Sequence, residues 1–309
     1  MTNKEIYEKF CEREKDLPIF SQPWYLDVVC GKKGWEVLIV KKGTEVAATM
    51  PYQLKKKLGF RLARMPKLTG YLGPYFPKKF RKQREKLMRA LLAQLPKVSF
   101  FEQNFHPSLT NALPLHWEKF MTLVRYTFII DLEQSLEEIY QNISPNYRNN
   151  KIKKAQRRIS VTEDEPLEIC YALQEKTFAR QNLKTPYTFD FLEKYDELLK
   201  EKASRKIFFA KDQAGNVHAA LYLIWDETTA YLHMLGNDPV FRKSGAGILL
   251  IWYAIQFAKE LLQKKQFDFE GSMIEPITKV RRDFGATQTP YFHVLRYHSK
   301  MIEILHQLK

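Results

Sequence analysis

Apolar residues recur at helical spacing between Glu5 and Lys15, and the run Ser21–Val29, which Ser21 can cap, predicts a second short helix. The segments Trp35–Val40 and Val46–Tyr52 are apolar and β-rich, and the turn signal Lys42-Gly43-Thr44 joins them into an expected β-hairpin. A Gly-, Pro- and Tyr-rich loop follows at Thr69–Tyr75, then a basic helix over Lys78–Gln94 and strands at Val98–Gln103 and Tyr126–Leu132. From Ser144 the plan repeats, with helices expected over Ser144–Arg158, Pro166–Arg180 and Phe189–Lys202. A hairpin of Lys206–Lys211 and Val217–Trp225 turns around Asp212–Asn216, and Thr229–Leu235 supplies the next strand. A Gly-containing turn, an apolar helix over Gly247–Lys264 and the strand Phe267–Glu270 close the pattern. Two copies of one α/β plan are therefore expected, although identity between the halves is too low to demonstrate duplication.

At 309 residues and 45% hydrophobic content, the chain is rather long for one core to remain undivided, so two domains are expected, 1–140 and 141–309. Cys11, Cys30 and Cys170 are scattered without metal-ligand spacing, which points away from a disulfide framework or a zinc site and toward a reducing cytoplasm. The N-terminal stretch lacks a basic-then-apolar leader pattern, and Ile248–Leu262 is too short and too interrupted to cross a bilayer.

Charge changes the picture more than composition does. The formal net charge is +15, and between Pro51 and Arg89 a dense set including Lys55, Lys56, Lys57, Arg61, Lys78, Lys79 and Arg81 faces the single acid Glu85. A second run, Arg148, Lys151, Lys153, Lys154, Arg157 and Arg158, contains no acid. Such runs are either solvated helix faces or surfaces for a polyanion: RNA, an anionic membrane or a phosphorylated substrate.

The segment Gly236–Leu250 places Arg242-x-x-Gly245-x-Gly247 between a strand and a helix. There the glycines let backbone approach an anion, and the unpaired N–H groups of the first helical turn point toward it. Arg242, Lys243, Ser244, Gly245, Ala246 and Gly247 are thus candidates for a donor-phosphate loop; the bland alternative is a plain helix-starting turn. Arg148 and Lys151, near a helix N-terminus, are candidates for an acceptor phosphate or carboxylate in the cleft between domains, with Tyr71 and Tyr75 of the Thr69–Tyr75 loop on its opposite side. Alternatively Arg148 faces solvent or pairs with an acid, and the tyrosines form a rigid surface loop.

The strand, loop, apolar helix and acidic strand arrive in the order of a GNAT fold, and Asn237–Gly247 resembles the acyl-CoA pyrophosphate loop of GNAT enzymes. Tyr147–Ala155, Phe267–Ser272 and Arg282–Ala286 are similar in order and spacing to the FemABX-like and BioF2-like acetyltransferase group. The resemblance covers most of residues 140–292, and it implies an α/β (α+β) chain of two tandem GNAT-like domains, each a mixed, mostly antiparallel sheet flanked by helices. The first would be a degenerate basic copy and the second the acyltransferase.

The resemblance further implies a bacterial protein that transfers an acyl group from acetyl-CoA or another acyl-CoA to a small or cell-wall-related amine, with no metal. Direct attack needs a general base, for which Glu270 is named first, then Asp238 and His233. Glu270 can equally hold the Gly271-Ser272 turn, and His233 can be a packed strand residue. FemABX members use aminoacyl-tRNA and a peptidoglycan precursor, but no heptad-patterned helical arm of the kind many of them carry is visible here. A non-catalytic anion-binding module on the same fold is the remaining alternative.

Overall fold

In a computed structural model, residues 1–307 are described. They fold into two compact units, one of Met1–Tyr126 with Pro290–Lys309, the other of Thr127–Thr289. No linker marks the observed boundary, because the chain changes unit within two strands, β6 (Met121–Asp131) and β12 (Thr287–Tyr297).

In the first unit α1 (Asn3–Cys11) begins with a Thr2–Glu5 capping box, and α2 (Pro23–Cys30) begins with proline, whose missing N–H costs nothing in a first turn. The predicted hairpin is present as β1 (Trp35–Lys42) and β2 (Glu45–Gln53). A second, unpredicted hairpin follows, β3 (Lys55–Lys57) and β4 (Phe60–Ala63), and β4 pairs in parallel with β5 (Phe100–Asn104), which pairs antiparallel with β12. The basic helix begins as a 3-10 segment over Lys78–Gln83 and becomes α3 (Arg84–Ala93), whose Leu87, Met88, Leu91 and Leu92 are buried; α4 (Leu113–Trp117) is short.

In the second unit α5 (Leu136–Asn142) carries its own Ser135–Glu138 capping box. The expected Ser144 helix is a π-helix over Tyr147–Ile152 continuing into α6 (Lys153–Gln156). Then come β7 (Ile159–Thr162), α7 (Leu167–Ala179), α8 (Phe189–Glu201), β8 (Arg205–Asp212), β9 (Val217–Trp225), β10 (Thr229–Asn237), α9 (Ala246–Glu260), β11 (Gln266–Asp268) and α10 (Glu275–Asp283). The sheet runs β6-β11-β10-β9-β8-β7, antiparallel except for β10 with β11. α9 is apolar on nearly every side because it is buried against this sheet, with Leu250, Ala254, Ile255 and Ala258 fully enclosed. The final helix, α11 (Lys300–Gln307), follows β12.

Candidate functional site

The candidate base residues lie in the second unit, around the ends of β10 and β11. β10 pairs with β11 only over Thr229–Tyr231 against Gln266–Asp268; β11 ends there while β10 runs on to Asn237 beside β9. The β10–β9 register shifts between Leu232 and Met234, so His233 occupies a bulge just where the ladder to β11 stops. Bulges re-aim side chains, and this one turns His233 toward the chain leaving β11.

That chain is held in an unusual conformation. Glu270 has φ +55 and Gly271 φ +65, and a left-handed backbone at a non-glycine residue costs about 1–2 kcal/mol. Buried Asp268 and Thr127 hold the turn. Asp268 Oδ1 accepts the Glu270 N–H at 2.8 Å and the Thr127 hydroxyl, whose own oxygen accepts the Gly271 N–H at 2.9 Å. The Glu270 side chain is therefore not needed for the turn. Its Oε1 lies 2.7 Å from His233 Nδ1, and His233 Nε2 lies 2.9 Å from the hydroxyl of Tyr195 on α8. A carboxylate at Nδ1 requires that nitrogen to carry a proton, and a neutral ring then accepts the Tyr195 hydroxyl at Nε2. The His233 side chain is 2% exposed and that of Glu270 12%, so the carboxylate is the more accessible end of the chain of contacts.

Two of the three named base candidates are thus brought together, and Asp238 is elsewhere. It lies past the end of β10, roughly 16 Å from His233 at strand rise. Its carboxylate accepts Lys176 Nζ at 2.5 Å and the Val240 N–H at 2.9 Å. The Lys176 ammonium, aided by that N–H, holds the Asp238 carboxyl below its ordinary range. Asp238 tethers the following loop to α7. The same helix covers the end of β10: Thr177 Oγ1 accepts the Asn237 N–H at 3.0 Å, and the Gln174 amide oxygen accepts the Gly236 N–H at 2.9 Å.

In the candidate donor-phosphate loop, Arg242 and Lys243 are exposed on a 3-10 turn, Ser244 Oγ accepts the Ala246 N–H at 3.2 Å, and Gly245 is left-handed at φ +79. Gly245, Ala246 and Gly247 are buried. The protein's own packing crowds both glycines. A methyl on Gly245 would meet the Lys151 carbonyl oxygen at 3.1 Å, and one on Gly247 would meet Asn237 Oδ1 at 2.4 Å. Both glycines thus lie in close contact with protein, and Arg242 and Lys243 are exposed beside them.

Lys151 sits beside Gly245, on the π-helix; Arg148, on the same helix, donates to the Gln141 side-chain oxygen and lies 5.9 Å from the Tyr140 ring. Tyr71 and Tyr75 belong to the first unit. Tyr71 is 1% exposed and packs edge-on against Phe20 and Tyr291, while the Tyr75 hydroxyl donates to Glu14 at 2.8 Å and its main chain bridges Thr49. Tyr195 was missed by sequence reasoning: it lies 38 residues from His233, on a helix whose pattern explains it as core. Among the described residues no cluster of His, Cys, Asp and Glu is arranged to hold a metal ion, and no helix is long and apolar enough to cross a membrane.

Residues 146–273 match the family model described as an acetyltransferase (GNAT) domain. No curated protein matches the chain. Solved structures share its fold. FemX aligns over 94% of this chain and 96% of its own at 12% identity, TM-score 0.66. L-PGS from Bacillus licheniformis aligns over 97% and 94% at 14% identity, TM-score 0.56. A tandem GNAT protein from the clavulanic acid biosynthesis pathway aligns over 86% and 84% at 13% identity, TM-score 0.51. Residues 146–273 accordingly match a GNAT acetyltransferase domain, a match that supports an acyltransferase, and the chain has a tandem GNAT-like, FemX-like α/β fold.

Proposed function

We propose that the GNAT domain of residues 146–273 transfers an acyl group from an acyl-CoA to an amine, with Glu270 as the base and His233 as its partner. The observation that carries this reading is the 2.7 Å contact between His233 and Glu270 at the point where β10 and β11 cease to pair. The amine nitrogen attacks the thioester carbonyl, a main-chain N–H stabilises the oxyanion, the C–S bond breaks, and the thiolate leaves. The proton released from the amine passes to the Glu270 carboxylate, whose Oε1 is held by His233. Buried Tyr195 fixes the other ring nitrogen and so the direction in which His233 donates. Arg242 and Lys243, before the first turn of α9, would meet the donor phosphates.

A second reading takes aminoacyl-tRNA as donor and a cell-wall or lipid-linked amine as acceptor. It is supported by the FemX-like fold over 94% of the chain and by the net charge of +15. Calorimetry on the whole chain separates the two. Binding of acetyl-CoA that weakens in an R242E/K243E variant supports the first reading, and no acetyl-CoA binding at millimolar ligand with salt-sensitive binding of aminoacyl-tRNA replaces it with the second.

A further inference from the structure

The hairpin of β3 and β4 belongs to the first unit, and its composition is difficult to explain by stability. Its two-residue turn is Leu58-Gly59, both left-handed, at φ +49 and φ +79. A turn of this kind, with positive φ at both central residues, favours Asn-Gly or Asp-Gly, because asparagine and aspartate tolerate the left-handed region and a branched apolar side chain does not. Leucine here is disfavoured by its backbone, and it gains nothing by burial, since it is 87% exposed, the most exposed large hydrophobic residue described.

Charge surrounds this apolar tip. Lys55, Lys56 and Lys57 lead into the turn and Arg61 leads out, all exposed, and none has an ion-pair partner among the described residues. In the observed register Lys57 is opposite Phe60, Lys56 opposite Arg61, and Lys55 opposite Leu62. Side chains alternate between faces, so cations stand on both faces within about three residues of the tip, or roughly 10 Å at strand rise. The base is anchored: Leu62 and Ala63 pair with Phe100 and Phe101 of β5, and Ala63 and Phe101 are buried.

We infer that this hairpin is a membrane-docking element, in which Leu58 enters the acyl boundary of an anionic bilayer while Lys55, Lys56, Lys57 and Arg61 engage the headgroups. Long lysine stems let the ammonium groups remain at headgroup depth as the tip descends. The anionic surface supplies the countercharge that the chain itself lacks here. RNA would satisfy the cations and leave the leucine without a role, since phosphates offer an apolar side chain nothing and base stacking calls for aromatic or guanidinium planes.

The test is flotation of the full chain with vesicles of phosphatidylcholine alone and of phosphatidylcholine with about one-third phosphatidylglycerol. The expected result is binding to the anionic vesicles only, weakening as salt rises. L58N supplies the turn's favoured residue, so it should melt at or above the parent temperature, yet its partition to anionic vesicles should fall roughly tenfold. L58F should restore it. A K55Q/K56Q/K57Q variant should lose on the order of 100-fold, at about fivefold per cation. Partition of L58N within twofold of the parent overturns the proposal, as does equal binding to neutral vesicles. Loss of tRNA binding in the triple variant with vesicle binding intact overturns it in favour of RNA.

Discussion

Replacing Gly247 with alanine tests why that glycine is there. The added methyl would lie 2.4 Å from Asn237 Oδ1 and 3.2 Å from its Cγ, and reaching ordinary contact means a displacement of roughly 1 Å. Overpacking of this size costs about 1–3 kcal/mol. Alanine at the start of α9 returns about 0.5–1 kcal/mol through a less flexible unfolded chain, leaving a net loss between about 0 and 2.5 kcal/mol, read as a lower urea midpoint at constant slope. The decisive comparison is the double-mutant cycle with N237A, which removes the opposing amide. In that background G247A should become neutral or stabilising, with a coupling of about 1–2 kcal/mol. Equal effects of G247A in both backgrounds, or stabilisation in the parent, would refute the packing argument and return the glycine to the phosphate-approach explanation.

Two further substitutions probe the frame around the site. Y222F removes a buried hydroxyl that donates to Asp196 Oδ1 at 2.7 Å and leaves that carboxylate with Arg205 at 2.6 Å; thermal unfolding should show a loss of about 1.5–3 kcal/mol. K176M concerns the pH response: Asp238 titrates lower when folded than unfolded, so the folded state binds fewer protons and stability is present above the unfolded value near 4 and lost as pH falls through the folded one. Lys176 is 52% exposed, which limits the pair to about 1 kcal/mol, and acid titration of the melting temperature should be flatter in K176M than in the parent as pH falls below about 4.

The legible parts of this chain were those governed by local pattern. The hairpins at residues 35–53 and 205–225 announced themselves by two apolar runs around a turn, and α9 by its apolar length and its start at Gly245-Ala246-Gly247. β12 was not read, because Thr287–Tyr297 alternates poorly and gains its partner β5 from the other end of the sequence. The β3–β4 hairpin was hidden because three lysines and a leucine turn violate strand and turn preferences at once. His233 and Glu270 were legible as residue types but not as a pair. Their meeting depends on a bulge in β10 and a left-handed turn after β11, and neither leaves a local signal.

The central claim is that the His233–Glu270 couple removes the proton of an attacking amine, and donor turnover in the presence of an amine panel measures it. E270Q should keep parent affinity for the donor while the transfer rate falls by roughly 10²–10⁴. Transfer by both E270Q and H233A within threefold of the parent would contradict it.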